Sequence, residues 1–291
     1  MSQAEYEVIV DAGCQMGNSP VWHPHEHALY WSDTQAGKLW RWSQADGSEV
    51  VDEGVKIGGL TVQADGALLL FREHGNIVIW DRGQVRSVVV DHIPGHEEER
   101  FNDVYADPMG RVYAGTVCEG MMGRLIRLDV SGDWHEVLSG IACSFGMDLT
   151  VDQKRMYYTD RTMRAIWSYT YDQSTGGLYD RDLFMEMAEG EGFPGGLTVD
   201  RDGNVWSARW GGWGVYHYDA DGKEKKYVEL PAKYVTSLCF GGEDYKDLFV
   251  TSACCNERGQ EEGDMGEDAG AVFKLKVKAA GKMPNLSRIS K

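Results

Sequence analysis

The sequence predicts an all-β protein, a six-bladed β-propeller with four antiparallel strands per blade. Two observations carry this. First, one pattern recurs six times: a short apolar run, a polar turn, then a second apolar run ending in small or hydroxyl residues. The copies are Val21–Asp33, Leu60–Phe71, Val104–Gly115, Met147–Asp160, Leu197–Ala208 and Leu238–Ser252, with starts 39, 44, 43, 50 and 41 residues apart. A period near 40 residues with several short strands per unit is how propeller blades read in sequence. Second, the chain has 291 residues, 42% of them hydrophobic, so six such units fill it as one domain with an ample core.

The elements follow in order. In the first unit Ser19–His23 reads as the inner strand, Ala28–Ser32 as the second, Lys38–Trp42 as the third and Val50–Asp52 as the fourth. Asp33-Thr34, Gly37 and Asp46-Gly47 supply its turns. The third unit repeats the order as Asp103–Ala106, Val112–Thr116, Arg124–Leu128 and His135–Leu138. The fourth continues with Tyr157–Thr159, Ala165–Thr170 and Asp182–Met185, and the fifth with Val205–Ala208, Gly214–Tyr218 and Lys226–Glu229. Ala271–Val277 ends the sixth. Tyr6–Asp11 is a spare strand without a unit of its own. A propeller must close, so this segment is expected to complete the last blade. Residues 256–269, rich in Glu, Asp and Gly, read as a mobile acidic loop; their acidic spacing does not match an EF-hand.

Net charge is −17, from 29 basic and 46 acidic residues. That argues against nucleic acid, which needs a basic face, and against anionic membrane surfaces. No apolar stretch is long enough to span a bilayer, and the N-terminus does not read as a secretory leader. The six cysteines form no CxxC pair and no zinc spacing. Reduced thiols and a cytoplasmic location are therefore expected.

Inner strands line the central channel of a propeller, so the residues at their starts should ring one mouth. They are Asn18-Ser19, Gly58-Gly59, Asn102-Asp103, Phe145-Gly146, Gly195-Gly196 and Thr236-Ser237. A small-molecule substrate is expected at this ring. Most tryptophans, among them Trp31, Trp40, Trp42, Trp167 and Trp206, read as filling between blades. Trp210 and Trp213 lie in the Gly-rich run Arg209-Trp-Gly-Gly-Trp-Gly214 and are candidates to wall a pocket. His23, His25 and His27 alternate through one turn and read as structural; His92 and His96 flank Pro94-Gly95 on the way to Arg100. No nucleophile elbow, phosphate-cradling Gly loop or dinucleotide fingerprint is present in the sequence.

The segments Gly17-Asn-Ser-Pro-Val-Trp22, Arg100-Phe-Asn-Asp-Val104, Gly110-Arg-Val-Tyr-Ala-Gly-Thr116, Met156-Tyr-Tyr-Thr-Asp160, Gly203-Asn-Val-Trp-Ser-Ala-Arg-Trp210 and Val235-Thr-Ser resemble the senescence marker protein / gluconolactonase / luciferin-regenerating enzyme family over essentially the whole chain. The resemblance implies a six-bladed propeller holding one divalent cation (calcium, zinc or manganese) on the channel axis and hydrolysing lactones. It also implies ligand positions. The family's Glu position is Asn18 here, its Asn position is Phe145 and its Asp position is Gly195; only Asn102 is retained. Hard dications want several oxygens, usually including carboxylates. The expectation is therefore no cofactor, or a weak calcium or zinc site using Asn18 and Asn102. A displaced site would have to draw on Asp103, Glu119 or Asp160.

By the same resemblance Arg100 and Asn102 match substrate contacts, and Glu119 approximates an acidic one. The candidate catalytic residues are Arg100, Asp103 and Glu119. The candidate substrate-binding residues are Asn18, Arg100, Asn102, Phe145, Trp210 and Trp213. Arg100 is a permanent cation able to meet a carboxylate or a developing oxyanion. Asp103 is either a general base or the cap of the turn before its strand. Three functions stay open at this point: a lactonase or related ester hydrolase, a metal-free enzyme (cyclase, isomerase or lyase) acting on an apolar or aromatic molecule, and a binding-only relative.

Overall fold

The computed structural model describes residues 6–95, 99–118, 122–141, 143–256 and 258–290. Among them every regular element is a strand except one 3₁₀ turn at Glu73–Gly75. No helix is long and apolar enough to cross a membrane.

Four sheets have four antiparallel strands each. The first holds β2 (Gly17–His23), β3 (Ala28–Asp33), β4 (Lys38–Ser43) and β5 (Gly47–Glu53). The second holds β6 (Ile57–Val62), β7 (Leu68–Arg72), β8 (Ile77–Asp81) and β9 (Gln84–Val90). The third holds β10 (Glu99–Ala106), β11 (Val112–Cys118), β12 (Gly123–Leu128) and β13 (Trp134–Ile141). The fourth holds β14 (Ser144–Leu149), β15 (Arg155–Asp160), β16 (Ala165–Asp172) and β17 (Gly177–Glu186).

The remaining strands form one eight-stranded sheet. One run of it is β18 (Phe193–Val199), β19 (Val205–Trp210), β20 (Gly214–Tyr218) and β21 (Glu224–Glu229). The other is β22 (Tyr234–Gly241), β23 (Asp247–Ala253), β24 (Val272–Lys276) and the N-terminal β1 (Tyr6–Val10), which pairs antiparallel with β24. A single residue pair, Trp210 opposite Tyr234, joins the two runs.

The apolar alternation of each strand explains how the sets pack. One cluster joins the first sheet to the second through Tyr30, Leu39, Leu60 and Leu70. The next joins the second to the third through Phe71, Ile79, Val112 and Ile126. Tyr113 and Leu125 meet Met147 and Tyr158. Tyr157 and Ile166 meet Val199 and Val205. Trp206 and Val215 meet Phe240 and Phe273. Phe249 and Val272 return to Trp22, Leu29 and Trp31 of the first sheet. Each fully buried side chain of this size contributes about 1.5–3 kcal/mol, so the sets are held mainly through their faces. Inner strands follow the same circuit: β2 lies against β6, β6 against β10, β10 against β14, β14 against β18, β18 against β22, and β22 against β2. The architecture is all-β and propeller-like.

Small residues allow this close approach. A Cβ on Gly58 would collide with the backbone carbonyl of Phe101 on the neighbouring inner strand. A Cβ on Gly195 would lie 2.6 Å from the Thr236 carbonyl oxygen.

Segment 256–269, where described, is tied to the body. Lys233 N donates to the Met265 carbonyl (2.9 Å) and Asp268 N donates to the Pro231 carbonyl (3.0 Å), while Asn256 Nδ2 donates to Glu262 Oε1 (2.6 Å) within the segment. All six cysteines are free thiols.

Candidate functional site

Every inner strand loses regular ladder pairing near its start. The breaks fall between Asn18 and Val21, Ile57 and Gly59, Phe101 and Asp103, Ser144 and Met147, Pro194 and Leu197, and Val235 and Ser237. Bulges bend a strand and re-aim its side chains, and they concentrate at rims and sites. Here the irregularity runs around the ring of strand starts. The groups it releases bond between strands instead. Asn18 Nδ2 donates to the Asn102 carbonyl (2.8 Å), Ser19 Oγ to the Gly58 carbonyl (3.1 Å), and Asn102 Nδ2 to the Ser144 carbonyl (2.6 Å). Thr236 Oγ1 donates to the Gly17 carbonyl (2.5 Å).

Above this floor opens a cleft of about 1320 Å³. Its walls come from strand starts and from the residues just past the second strands, with the 256–262 segment at one side. Arg100 lines it, and Nη1 donates to Asn102 Oδ1 at 2.9 Å. Among the described residues no carboxylate lies within ion-pair distance of Arg100. Burial depresses its pKa, because the charged form gives up hydration.

Arg161, directly after β15, sits in an aromatic cradle. Its guanidinium carbon lies 4.9 Å from the Trp210 ring centre, 5.1 Å from Phe193 and 5.7 Å from Phe145. Such contacts are worth about 0.5–2 kcal/mol. Burial lowers the Arg161 pKa, and the like charge of Arg100 adds to this. Cys143 borders both arginines, and burial pushes its thiol up.

Trp210 stacks on Tyr234, with centres 4.2 Å apart and planes 16° apart. Tyr234 OH donates to Glu262 Oε2 (3.2 Å), and Lys233 Nζ donates to the Glu262 carbonyl (3.1 Å). Glu99 Oε1 accepts from Arg124 Nη2 at 2.6 Å.

The expected site residues divide. Arg100 and Trp210 line the cleft; Asn18 and Asn102 are buried in its floor; Phe145 is buried beneath Arg161. Asp103 is placed elsewhere. It lines a separate cavity of 350 Å³ within the channel, beyond the ring, and Oδ1 accepts from Val104 N (2.9 Å). There burial raises its carboxyl to about 7. Trp213 does not border the cleft. At φ 58° it turns away, and its carbonyl accepts from Leu230 N and Tyr227 OH. Glu119 and His96 lie outside the described residues. His23 is buried and structural: Nε2 bonds the Gly66 carbonyl, and Nδ1 accepts from Glu26 N.

Sequence reasoning missed Arg161, Phe193, Tyr234 and His74, all of which line the cleft. A signal existed. The repeat that reveals the inner-strand starts also marks the ends of the second strands, and the residues at or just past those ends (Thr34, His74, Cys118, Arg161, Gly211 and Asn256) border the same mouth.

As for donors, Asn18 and Asn102 do meet, but both amides donate across the floor and Asn102 Oδ1 carries the Arg100 guanidinium. Asp160 Oδ1 accepts from Met163 N (3.2 Å). Among the described residues no three His, Cys, Asp or Glu side chains gather as an ion cage.

Comparison with known proteins places the chain. Residues 16–254 match the SMP-30/Gluconolactonase/LRE-like region. Pentonolactonase XacC of Haloferax volcanii is 42% identical over 282 residues, covering 94% of this chain and 95% of that protein. Regucalcin of Danio rerio is 31% identical over 94% of this chain and 95% of its own length. The 6-deoxy-6-sulfogluconolactonase of Pseudomonas putida is 30% identical over 91% of this chain and 92% of its own. In fold, a luciferin-regenerating enzyme superposes with TM-score 0.88 at 24% identity, covering 98% of this chain and all of that one. A calcium-binding regucalcin from Agrobacterium tumefaciens gives 0.90 at 22% identity, covering 99% and 98%. The chain belongs to the SMP-30/gluconolactonase/LRE-like family.

Proposed function

We propose that this chain is a six-bladed propeller that hydrolyses a lactone in the cleft and does so without a divalent cation. The circuit of six inner strands supports the blade count; on this reading the eight-stranded sheet is two blades in contact at Trp210 and Tyr234. Relatives named as lactonases support the reaction class. The observation that carries the mechanism is Arg100: a desolvated guanidinium, aimed by Asn102, with no described carboxylate to neutralise it.

Among the described residues, the donors at the ring do not fit a dication. Two neutral amides, already bonded, cannot offset the dehydration of a hard cation, and a guanidinium occupies the oxygen of one. Positive charge is instead supplied by the chain itself. Water adds to the lactone carbonyl, and the oxygen that becomes negative is stabilised by Arg100. Collapse breaks the ring C–O bond, the ring oxygen takes a proton, and a hydroxy acid leaves. Asn102 is a positioning residue, since its amide fixes Arg100 and bridges to Ser144. The proton acceptor we assign is Glu119, the residue after the cleft-lining Cys118. Asp103 is left out of this chemistry, because it faces the channel. Six free thiols suit a cytoplasmic protein.

The test is turnover on a panel of aldono- and aldarolactones before and after treatment with chelator. The expected rate changes by less than about twofold, since no step uses a bound metal. Loss of activity with chelator, restored by calcium, zinc or manganese, overturns the metal-free mechanism. Tight binding without turnover of any lactone overturns the hydrolase reading in favour of a binding protein.

A further inference from the structure

Two cysteines stand side by side directly after β23. The sulfurs of Cys254 and Cys255 lie 3.7 Å apart, and both are free thiols. Their backbone is fixed from outside: Cys254 N donates to the Cys14 carbonyl (3.0 Å) and Cys255 N to the Gln15 carbonyl (3.4 Å). Cys255 is buried, whereas Cys254 is half-buried and its thiol reaches the Gly13 carbonyl oxygen at 3.8 Å. Asn256, the next residue, borders the cleft, but neither sulfur takes part in the chemistry assigned there.

Reach decides what two sulfurs so placed can hold. The peptide between them is trans, which sets neighbouring Cα atoms about 3.8 Å apart. That is shorter than the span of about 4.4–6.8 Å usual for a disulfide. A direct bond would also draw the sulfurs from 3.7 Å to about 2.05 Å and strain the small ring that the peptide closes. A bridge through one larger atom needs no such movement. Two sulfur bonds of about 2.3 Å meeting at a tetrahedral angle hold their sulfurs about 3.8 Å apart. The number of donors then selects the bridging atom. Zinc asks for four ligands in a structural site, and among the described residues no three His, Cys, Asp or Glu side chains gather.

We propose that Cys254 and Cys255 form a chelating dithiol site for a trivalent arsenical, a soft centre that takes two sulfurs from the protein and keeps its own third substituent. The site is independent of the hydrolase reading. An organoarsenic(III) dihydroxide exchanges two As–O bonds for two As–S bonds. Each thiol proton leaves with a hydroxyl as water, and no electron is transferred. The protonation of Cys254 agrees with this chemistry. Burial, with Cys255 alongside, raises it to about 11, so it is a thiol at neutral pH. Attack on a disulfide needs the thiolate and is slowed, whereas condensation consumes the thiol proton. The second sulfur closes a ring, and such intramolecular capture strengthens binding about 10²–10⁴-fold over one sulfur alone.

The experiment adds equimolar phenylarsine oxide to the full chain and chases with excess mercaptoethanol, a monothiol, or dimercaptopropanol, a dithiol. Intact mass is then read, and free cysteines are alkylated and mapped. The full chain should keep one phenylarsenic group through the monothiol chase and lose it to the dithiol. Cys254 and Cys255 should be the cysteines spared from alkylation. Cys254→Ser and Cys255→Ser should each lower retention about a hundredfold or more. Cys254 is the more exposed of the two, so Cys254→Ser decides the matter if Cys255→Ser does not fold; its melting temperature separates loss of the sulfur from loss of structure. Retention unchanged in folded Cys254→Ser, or protection that maps to other cysteines, overturns the proposal. So does a 254–255 disulfide, seen as the loss of two hydrogens, that forms in a buffer of mainly reduced glutathione, because the pair would then be a redox couple.

Discussion

The two ends of the channel are built from the same six strands and have opposite characters. At the starts of the inner strands the ladders break, carbonyls and amides are released, and a wide cleft carries arginines against aromatic rings. At the other end pairing is regular and the C-terminal tail closes a cavity of 350 Å³. Lys282 Nζ pairs with Asp148 (2.8 Å) and also donates to the Leu149 carbonyl. Asn285 Nδ2 donates to Tyr105 OH (3.0 Å). Ile289 and Gln63 exchange two hydrogen bonds of 3.0 Å, and Ser287 N donates to the Val62 carbonyl (2.9 Å). The tail therefore ties together strand sets that are remote in sequence. The contrast teaches that regular pairing leaves nothing for chemistry. Reactive groups appear where the ladder is interrupted, and the tail compensates at the end that has no other task.

The strongest way to break this comparison is at the cleft. Arg100→Ala should lower kcat/KM by about a hundredfold or more, the usual loss when an oxyanion donor is removed. The melting temperature should change little, because the substitution relieves the desolvation of a buried guanidinium. A variant that keeps its rate would detach the reaction from this end of the channel. The same measurement on Asn102→Ala gives a complementary outcome. It should lose both rate and stability, since Asn102 Nδ2 also joins β10 to β14.

At the closed end the larger effect is on stability. Removing residues 282–291 strands Asp148 without its lysine and leaves Gln63 unsatisfied. Leaving a largely buried carboxylate unpaired is costly, and a loss on the order of 3 kcal/mol is expected, read as the midpoint of denaturant unfolding. Turnover measured well below the melting temperature should stay within a few-fold of the full chain. Loss of activity in protein that is still folded would show that the two ends are coupled.

Most of the architecture was legible in the sequence because second strands alternate cleanly between apolar and small residues. The strand expected over Val112–Thr116 is observed as Val112–Cys118, and Gly214–Tyr218 is as expected. The inner strands were legible only in part. Asp103–Ala106 was read from alternation, but the strand begins at Glu99. The bulge at Asn102 shifts the period by one residue, so the half that carries Arg100 falls out of phase with the half that was read. The same interruption separates the candidates: Arg100 opens onto the cleft and Asp103 onto the channel. Trp213 was drawn in by its Gly-rich surroundings, yet the positive φ that the turn imposes points it away. Arg161 escaped notice because an arginine after a strand is usually a solvated end; only the approach of Phe193 and Trp210 from the neighbouring set, together with Phe145 of its own sheet, makes it part of a site.

The smallest effect lies between the two ends, at Asp103. Its carboxyl is raised from 3.8 to about 7 by burial in the channel. The folded chain therefore holds this proton until near neutrality, whereas the unfolded chain releases it near pH 4. Between those values the native state binds more protons, so stability falls as pH rises and levels off above 7. A displacement of this size corresponds to at most about 4 kcal/mol, and solvent reaching the half-buried carboxylate reduces it to the order of 2 kcal/mol. Asp103→Asn keeps the shape and removes the charge. It should match the parent near pH 4 and exceed it in melting temperature at pH 8, with the gap opening across the interval. If the gap is instead constant with pH, Asp103 is ionised throughout, and the channel is as wet as the cleft. If turnover falls with the substitution while the fold holds, Asp103 serves the reaction from below the ring, and the division between the ends is drawn in the wrong place.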